Sequence, residues 1–369
     1  MKNPKVTIII SAFNHEKYVA ESIQSVLDQS FQDFELIIID NGSTDSTFKI
    51  IKTFNDSRIR VFQIKKNTGF SYALNYALIK AKGEYISLFT SDDISLFDKL
   101  DQQVKYLDQY SDVGAVFSKA YIIDERGNAI KGEYYSKVFD QKNRNRFQWL
   151  NHFFYNGNCI CFPSTLIRKT IYKEILFENN RLAQLHDFDL WIRLCLKRNI
   201  HILNEKLVKL RIMSNKSNAS ADTPENRVRS MFEFGHVLKQ FLLIPTTQDF
   251  LKIFPDAKKK YNDISDDELI PFYVARQALE VEHIFHQKFA LDVLFDLMRN
   301  KKIVSKLNKQ CNFDYTDFIK LTGKHDIYHV EHIEYQKDKI NQLVSEKEKF
   351  KSFFYQLKYL FKKIILPHA

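Results

Sequence analysis

Polar and apolar positions in the first third of the chain alternate between two periods. Val6 to Ile10 is a β-branched run that predicts a buried strand, and between about Glu16 and Leu27 the apolar positions Val19, Ile23, Val26 and Leu27 share one helical face. The pattern then repeats. Phe34 to Ile39 predicts a second strand, and Ser43-Thr44-Asp45 offers N-cap candidates for a helix through Phe48, Ile51 and Phe54. Ile59 to Ile64 predicts a third strand. A helix is expected over Phe70 to Ala81, with Gly83 as its C-terminal cap. Tyr85 to Phe89 reads as a fourth strand, Asp98 to Tyr110 as a helix, and Gly114 to Phe117 as the opening of a fifth strand. This βαβα order predicts an α/β fold with a doubly wound, mainly parallel sheet. Right-handed crossovers bring the strand C-termini to one edge of such a sheet.

Residues 122–158 are polar and aromatic, with a basic patch at Lys142, Arg144 and Arg146. Beyond them, Pro163 to Ile167 predicts a strand, Asp187 to Leu196 a helix, and Ile200 to Met213 a strand ending in the polar loop Ser214 to Ser220. After about Thr223 no further βαβ unit is visible. Val228–Leu243, Leu269–Gln287 and Leu291–Met298 have helical spacing. From about Gln336 the residues Ile340, Leu343, Lys347, Phe350, Phe354, Leu357, Phe361 and Ile364 follow a 3,4 spacing flanked by lysines. Three parts are therefore expected: a catalytic-type α/β domain over 1–222, a helical appendage over 223–335, and a basic amphipathic helix over 336–369. That last helix suits a coiled coil and hence a homo-oligomer, an anionic membrane surface, or packing onto its own domain.

Composition narrows the partners. The chain has 369 residues, 44% of them hydrophobic, and a net charge of +10. Such a balance favours anionic partners such as nucleotide phosphates or lipid headgroups. The basic residues are scattered, which argues against a nucleic-acid surface. No apolar run is long enough to span a bilayer. Met1 to Lys5 leads straight into a strand without the apolar region of a signal peptide. The expected location is cytoplasmic, with peripheral attachment at the inner face of the cell membrane as an option through the C-terminal helix. Cys159, Cys161, Cys195 and Cys311 fit no zinc or redox spacing and are expected as reduced core thiols.

The candidate chemistry lies at the strand ends. Strand one ends in Ser11-Ala12-Phe13-Asn14, strand two in Asp40-Asn41-Gly42-Ser43-Thr44-Asp45, and strand four in Thr90-Ser91-Asp92-Asp93; Lys66-Asn67-Thr68-Gly69 follows strand three. Adjacent carboxylates at the end of a buried strand are costly without a partner, and that edge is where ligands bind in open α/β sheets. A divalent cation carrying a diphosphate would account for the pair; a strand-end turn with a solvated Asp pair is the plain alternative. Taken singly, Asp40 to Asp45 also reads as an Asx-type turn with a helix cap, and Asn67-Thr68-Gly69 as a plain turn.

Together these segments resemble glycosyltransferase family 2, the inverting GT-A transferases that use nucleotide sugars. Val6 to Asn14 is similar to the family's opening strand, with Phe13 in place of Tyr, and Asp40-Asn41-Gly42-Ser43 is similar to its Asp-Asp-Gly-Ser segment, with one Asp replaced by Asn. Asn67 to Asn75 and Ala81 to Ile86 match closely. The family's Asp-X-Asp motif falls on Thr90-Ser91-Asp92, so its first Asp is Thr here. The resemblance implies a nucleotide-sugar site of Ser11, Phe13, Asp40, Asn67, Ser91, Asp92 and Arg211, with Asp40 on a uracil N–H and Arg211 facing the diphosphate. It implies Mn²⁺ or Mg²⁺ at Asp92, with Asp93 as a further metal group. The family's Glu-Asp pair falls on His186-Asp187, which makes Asp187 the general base for a glycan or lipid-linked acceptor; a helix N-cap is its structural alternative. His186, Asn156 and Asn158 are then expected on the acceptor side. Met213 stands where the family often has a His, and a thioether is a poor ligand for a hard cation. Two other classes remain: a nucleotidyltransferase, which would normally carry a Gly-rich basic loop after strand one, and a non-catalytic nucleotide-binding protein on the same fold.

Overall fold

The structure, a computed structural model, describes residues 3–365 except 131, 133–136, 176, 215–217, 219, 220, 262 and 263. Side chains 359 and 361–365, which include part of the C-terminal apolar stripe, lie outside the described set, as does most of the polar loop Ser214 to Ser220.

Eight strands form one mixed sheet: β1 (Val6–Ala12), β2 (Phe34–Asn41), β3 (Ile59–Ile64), β4 (Tyr85–Thr90), β5 (Ile94–Ser95), β6 (Val113–Ile123), β7 (Leu166–Arg168) and β8 (Asn199–Arg211), in the order β3-β2-β1-β4-β7-β6-β8-β5. The first four are parallel, β7 runs antiparallel between β4 and β6, and β6 and β8 are parallel again. Buried on both faces, β1 and β2 are continuous apolar runs, as parallel strands must be. Val6, Ile8 and Ile10 pack with α1 (Val19–Leu27) and α4 (Lys99–Gln109), while Ile9 faces the opposite layer with α3 (Phe70–Lys80). The register sets Ser11 beside Thr90, Ala12 beside Asp40, and Asp40 beside Gln63, so the polar strand ends stand side by side.

The remaining helices are α2 (Thr47–Ile51), α5 (Arg146–Asn156), α6 (Ile171–Ile175), α7 (His186–Lys197), α8 (Pro224–Val237), α9 (Thr247–Ile253), α10 (Ile270–Ala278), α11 (Ile284–Met298), α12 (Lys301–Cys311), α13 (Tyr315–Lys324) and α14 (Val330–Ile365). Helix α5 falls in the segment that reads as merely polar and aromatic. Its signal is a capping box, Asn145 with Gln148, ahead of the buried stripe Trp149, Leu150, Phe153 and Phe154. Through that stripe the core runs without a break from the sheet into the later helices. Phe154 meets Phe241 and Phe254 edge-to-face at 5.0 and 4.9 Å.

Several local expectations change. Leu269–Gln287 divides into α10 and α11, and Val228–Leu243 into α8 and a 3-10 turn over Leu238–Leu243. Gly83 is no helix cap, because α3 ends at Lys80. A Cβ there would lie 2.3 Å from the Thr7 backbone N, so glycine is what lets the chain enter β4 against β1. Helix α14 exposes its described side chains almost throughout, so among the described residues it does not pack onto the body.

Candidate active site

Two polar corners meet the C-terminal edge of the sheet. The first is built by the turns after β1, β2 and β4. Asn14 adopts a left-handed backbone (φ 53°), and its side-chain oxygen accepts from Thr44 N at 2.8 Å, tying the first two turns together. Gly42 (φ 80°) lets the second turn run close to the third; a Cβ there would lie 2.6 Å from Asn67 N. Asn41 replaces an Asp of the family pattern. Its amide donates to Asn67 Oδ1 and Gly69 O, and its oxygen accepts from Thr68 N and Oγ1, a two-way pattern that only an amide completes. Asn67 also accepts from Gly69 N, so its expected place at the donor rim is a turn-forming position. Ser11 is buried at the end of β1, and Phe13 is 39% exposed beside it. Asp40 is fully buried, with Gln63 Nε2 at 3.1 Å and Ser43 N at 3.4 Å on its carboxylate.

The tetrapeptide after β4 divides its work. Asp93 is buried; it accepts from Thr90 Oγ1 on one oxygen and from Arg211 N at 2.7 Å on the other. With both oxygens engaged it locks the strand end, and Thr90 has a use of its own there. The Arg211 guanidinium donates to Asp92 O (2.8 Å), to Asp124 O and Glu125 O (both 3.2 Å) and to Glu21 (2.6 Å), so four of its five N–H groups brace this corner. Asp92 is left as the carboxylate open to the edge. Burial raises its pKa, and the charges of His15 and Arg211 counter that rise. His15, absent from the sequence-level candidates, holds Ser91 Oγ through Nδ1 at 2.7 Å, across 76 residues of chain.

The second corner carries Asp187 at the start of α7. Its carboxylate accepts from Phe188 N at 2.7 Å and from Asn158 Nδ2 at 2.9 Å. Asn158, expected on the acceptor, is thus a partner of Asp187, while Asn156 is exposed at the end of α5. Enclosure by protein raises the Asp187 pKa, and His186, the Phe188 N–H and Asn158 pull it back. The backbone ahead of α7 is held from α8. Glu233, 2% exposed, accepts from Ala183 N and Gln184 N at 2.8 Å and Leu185 N at 2.9 Å. His186 packs against the rings of Phe70 and Phe162, with centroids 5.0 and 5.5 Å away, and its Nδ1 is 3.5 Å from Glu178. Between the corners, buried Cys161 lies within electrostatic reach of both Asp93 and Asp187.

The mixed sheet, with polar turns at its strand ends and a carboxylate on the flanking helix, is of the GT-A type. Comparison with known proteins gives the family. The description "Glycosyl transferase family 2" matches residues 7–176. An uncharacterized glycosyltransferase of Methanocaldococcus jannaschii is 30% identical over 292 residues, covering 72% of this chain and 97% of that protein. EpsE of Bacillus subtilis, a putative glycosyltransferase, is 30% identical over 195 residues, covering 52% of this chain and 66% of that protein. Among solved structures, S. aureus TarS 1-349 in complex with UDP-GlcNAc superposes with a TM-score of 0.54 at 18% identity, over 82% of this chain and 85% of that one. Against the longer TarS chain the TM-score is 0.51 at 17% identity, and this chain spans 50% of its length. The chain belongs to glycosyltransferase family 2 and is a glycosyltransferase.

Proposed function

We propose that this enzyme moves a sugar, with inversion, from a uridine diphosphate donor to a hydroxyl of a glycan or lipid-linked acceptor. The observation that carries the reading is Asp187, a carboxylate fixed by Asn158 and the Phe188 N–H at the site edge. Inversion needs one base to take the acceptor proton as the oxygen attacks C1 from the face opposite the leaving group, and no second carboxylate to form a covalent intermediate. Asp187 has that role; Ser11, Phe13 and Asp40 line the nucleoside end.

Asp92 suits a divalent cation delivered with the diphosphate. Among the described residues no cluster of three or more His, Cys, Asp or Glu side chains forms a cage. Mg²⁺ and Mn²⁺ favour one or two carboxylates plus phosphate oxygens and water, so a single open Asp92 fits such an ion. Bound there, it would neutralise charge developing on the departing diphosphate. Asp93 and Arg211 hold Asp92 in place.

Asp187→Asn should lower turnover roughly 10²–10⁴-fold while leaving the Kd for UDP within twofold, read by transfer assay and calorimetry. Near-normal turnover would end the assignment. Thermal-shift screening of nucleotide sugars with and without Mn²⁺ tests the donor and the ion, since a bound donor raises Tm by linkage. The exposed α14, with Lys349, Lys351 and Lys358 beside Phe350, Phe353 and Phe354, supports a further reading in which the acceptor is lipid-linked and the helix rests on an anionic membrane. No described helix is long and apolar enough to cross one. Flotation with anionic vesicles, lost on deleting 336–369, is the expected result; a concentration-dependent oligomer without flotation would favour the coiled coil.

A further inference from the structure

The acceptor-side corner contains a buried acid and base that the mechanism above does not use. Glu178 is 4% exposed, its side chain wholly enclosed, and neither of its carboxylate oxygens has a hydrogen-bond partner. Among the described residues its charge partner at close range is His186 Nδ1, 3.5 Å away. Nδ1 itself makes no shorter bond. The Tyr172 hydroxyl from α6 is also buried without a hydrogen-bond partner in the same neighbourhood. A lone buried carboxylate costs several kcal/mol, and a partner of opposite charge removes much of that cost. The histidine beside it immediately precedes Asp187 in the chain.

We propose that Glu178 is a positioning residue for transfer: through His186 it keeps a positive charge beside Asp187, so that Asp187 stays a carboxylate ready to receive the acceptor proton. This rests on the reading of Asp187 as the base. In the charged arrangement, one imidazolium is shared by two carboxylates, Glu178 behind it and Asp187 ahead. Without Glu178 the ring, packed against Phe70 and Phe162, has an apolar surround that favours its neutral form.

The other ionisable groups facing the pair come from three elements. Glu233 from α8 adds negative charge, although its oxygens are occupied by the backbone of 183–185. On α7, Asp189 is bonded to Arg193 at 2.8 Å, which leaves that pair nearly neutral. Tyr172 from α6 is held neutral, since burial and Glu178 push its pKa well up. For His186, burial pushes the pKa down, while the close contact with Glu178 and the charges of Asp187, Glu178 and Glu233 outweigh burial, leaving it raised. A carboxylate base is active when ionised, so activity falls as pH drops through the Asp187 pKa. Removing the neighbouring cation moves that limb upward.

The test uses the full chain. Profiles of kcat/KM against pH are compared for wild type and Glu178→Gln, together with ¹⁵N spectra of histidine-labelled protein in which His186→Gln identifies the signal. Expected are an acid limb about one pH unit higher in Glu178→Gln, a Kd for UDP within twofold of wild type, and a His186 signal of imidazolium type at pH 7 that turns neutral in the variant. A limb that does not move, or a neutral His186 in the wild type, overturns the proposal. The wild-type spectrum decides even if the variant fails to fold. Asp187→Asn separates the two readings. If it keeps turnover, the base assignment fails whatever the state of His186; if it is inactive while the Glu178→Gln limb stays put, only the present proposal fails.

Discussion

The two corners of the site handle buried charge in opposite ways. On the donor side two buried carboxylates beside Asp92 are closed off by direct bonds, Asp93 by Thr90 and Arg211 and Asp40 by Gln63 and Ser43, and Arg211 in turn is held by three carbonyls and Glu21. On the acceptor side the backbone is held just as firmly, by Glu233, but the side chains are not. Glu178, His186 and Tyr172 keep buried polar atoms unbonded, and Asp187 has two donors for its carboxylate. The first arrangement suits a frame that must present one open group, Asp92, in a fixed place. The second sets an unbonded acid and base beside Asp187, whose own two oxygens are engaged as those of Asp93 are.

The largest expected effect lies in the donor frame. Arg211→Ala would take a donor from the Asp92, Asp124 and Glu125 carbonyls and strip Asp93 of its opposing charge. A loss of about 3–5 kcal/mol in urea unfolding is expected, as for other broken buried charge networks. Arg211→Lys should recover little, since one ammonium cannot span the same fork. If Arg211→Ala instead left stability within about 1 kcal/mol and weakened UDP binding, the donor corner would not be a closed frame, and Arg211 would return to the diphosphate.

A smaller effect separates the corners by kinetics. Asn158→Ala removes one of the two donors to Asp187. A hydrogen bond to a charged group contributes about 1.5–3 kcal/mol, so kcat/KM should fall at least tenfold, mostly through kcat. The acid limb should move up, because the ionised form loses support, and UDP affinity should hold. A rise in acceptor KM with kcat intact would place Asn158 on the acceptor, as its position in the sequence suggests.

The contrast also explains what could be read in the sequence. β1 to β4 and their polar ends follow local rules, such as β-branched runs, Asx and Gly turns and N-caps, and each lies within a few residues of its signal. Helix α5 had such a signal in Asn145 and Gln148 but was masked by a run of aromatic residues whose burial no local pattern states. The direction of adjacent side chains is a different matter. Nothing in Thr90-Ser91-Asp92-Asp93 says that Asp93 turns inward, since its partner Arg211 is 118 residues away. His15 with Ser91, Asn158 with Asp187, and Glu233 with the 183–185 backbone are likewise long-range pairs, visible only once the sheet is assembled.

The smallest effect concerns a buried charge beneath both corners. Lys99 on α4 is 1% exposed; its ammonium reaches Ser87 Oγ of β4 at 3.0 Å and Thr165 O, just before β7, at 3.4 Å, with no carboxylate among those partners. Burial pushes its pKa down to about 7, with Cys161 acting in the other direction. The sign follows from linkage. Between that value and the ordinary lysine value near 10.5, the unfolded chain binds a proton that the folded chain does not, so this group lowers stability progressively as pH falls from 10.5 to 7. Lys99→Met keeps the volume and deletes the titration. The bonds to Ser87 and Thr165 are lost with it, so the net gain at pH 7 should be small, about 1 kcal/mol or 2–4 °C in Tm. Between pH 7 and pH 9 the Tm of the wild type should rise relative to that of Lys99→Met. Parallel curves would show that Lys99 stays in one protonation state across this range and that the charge beneath the site is compensated after all, which would extend the closed donor frame down to the floor of the sheet.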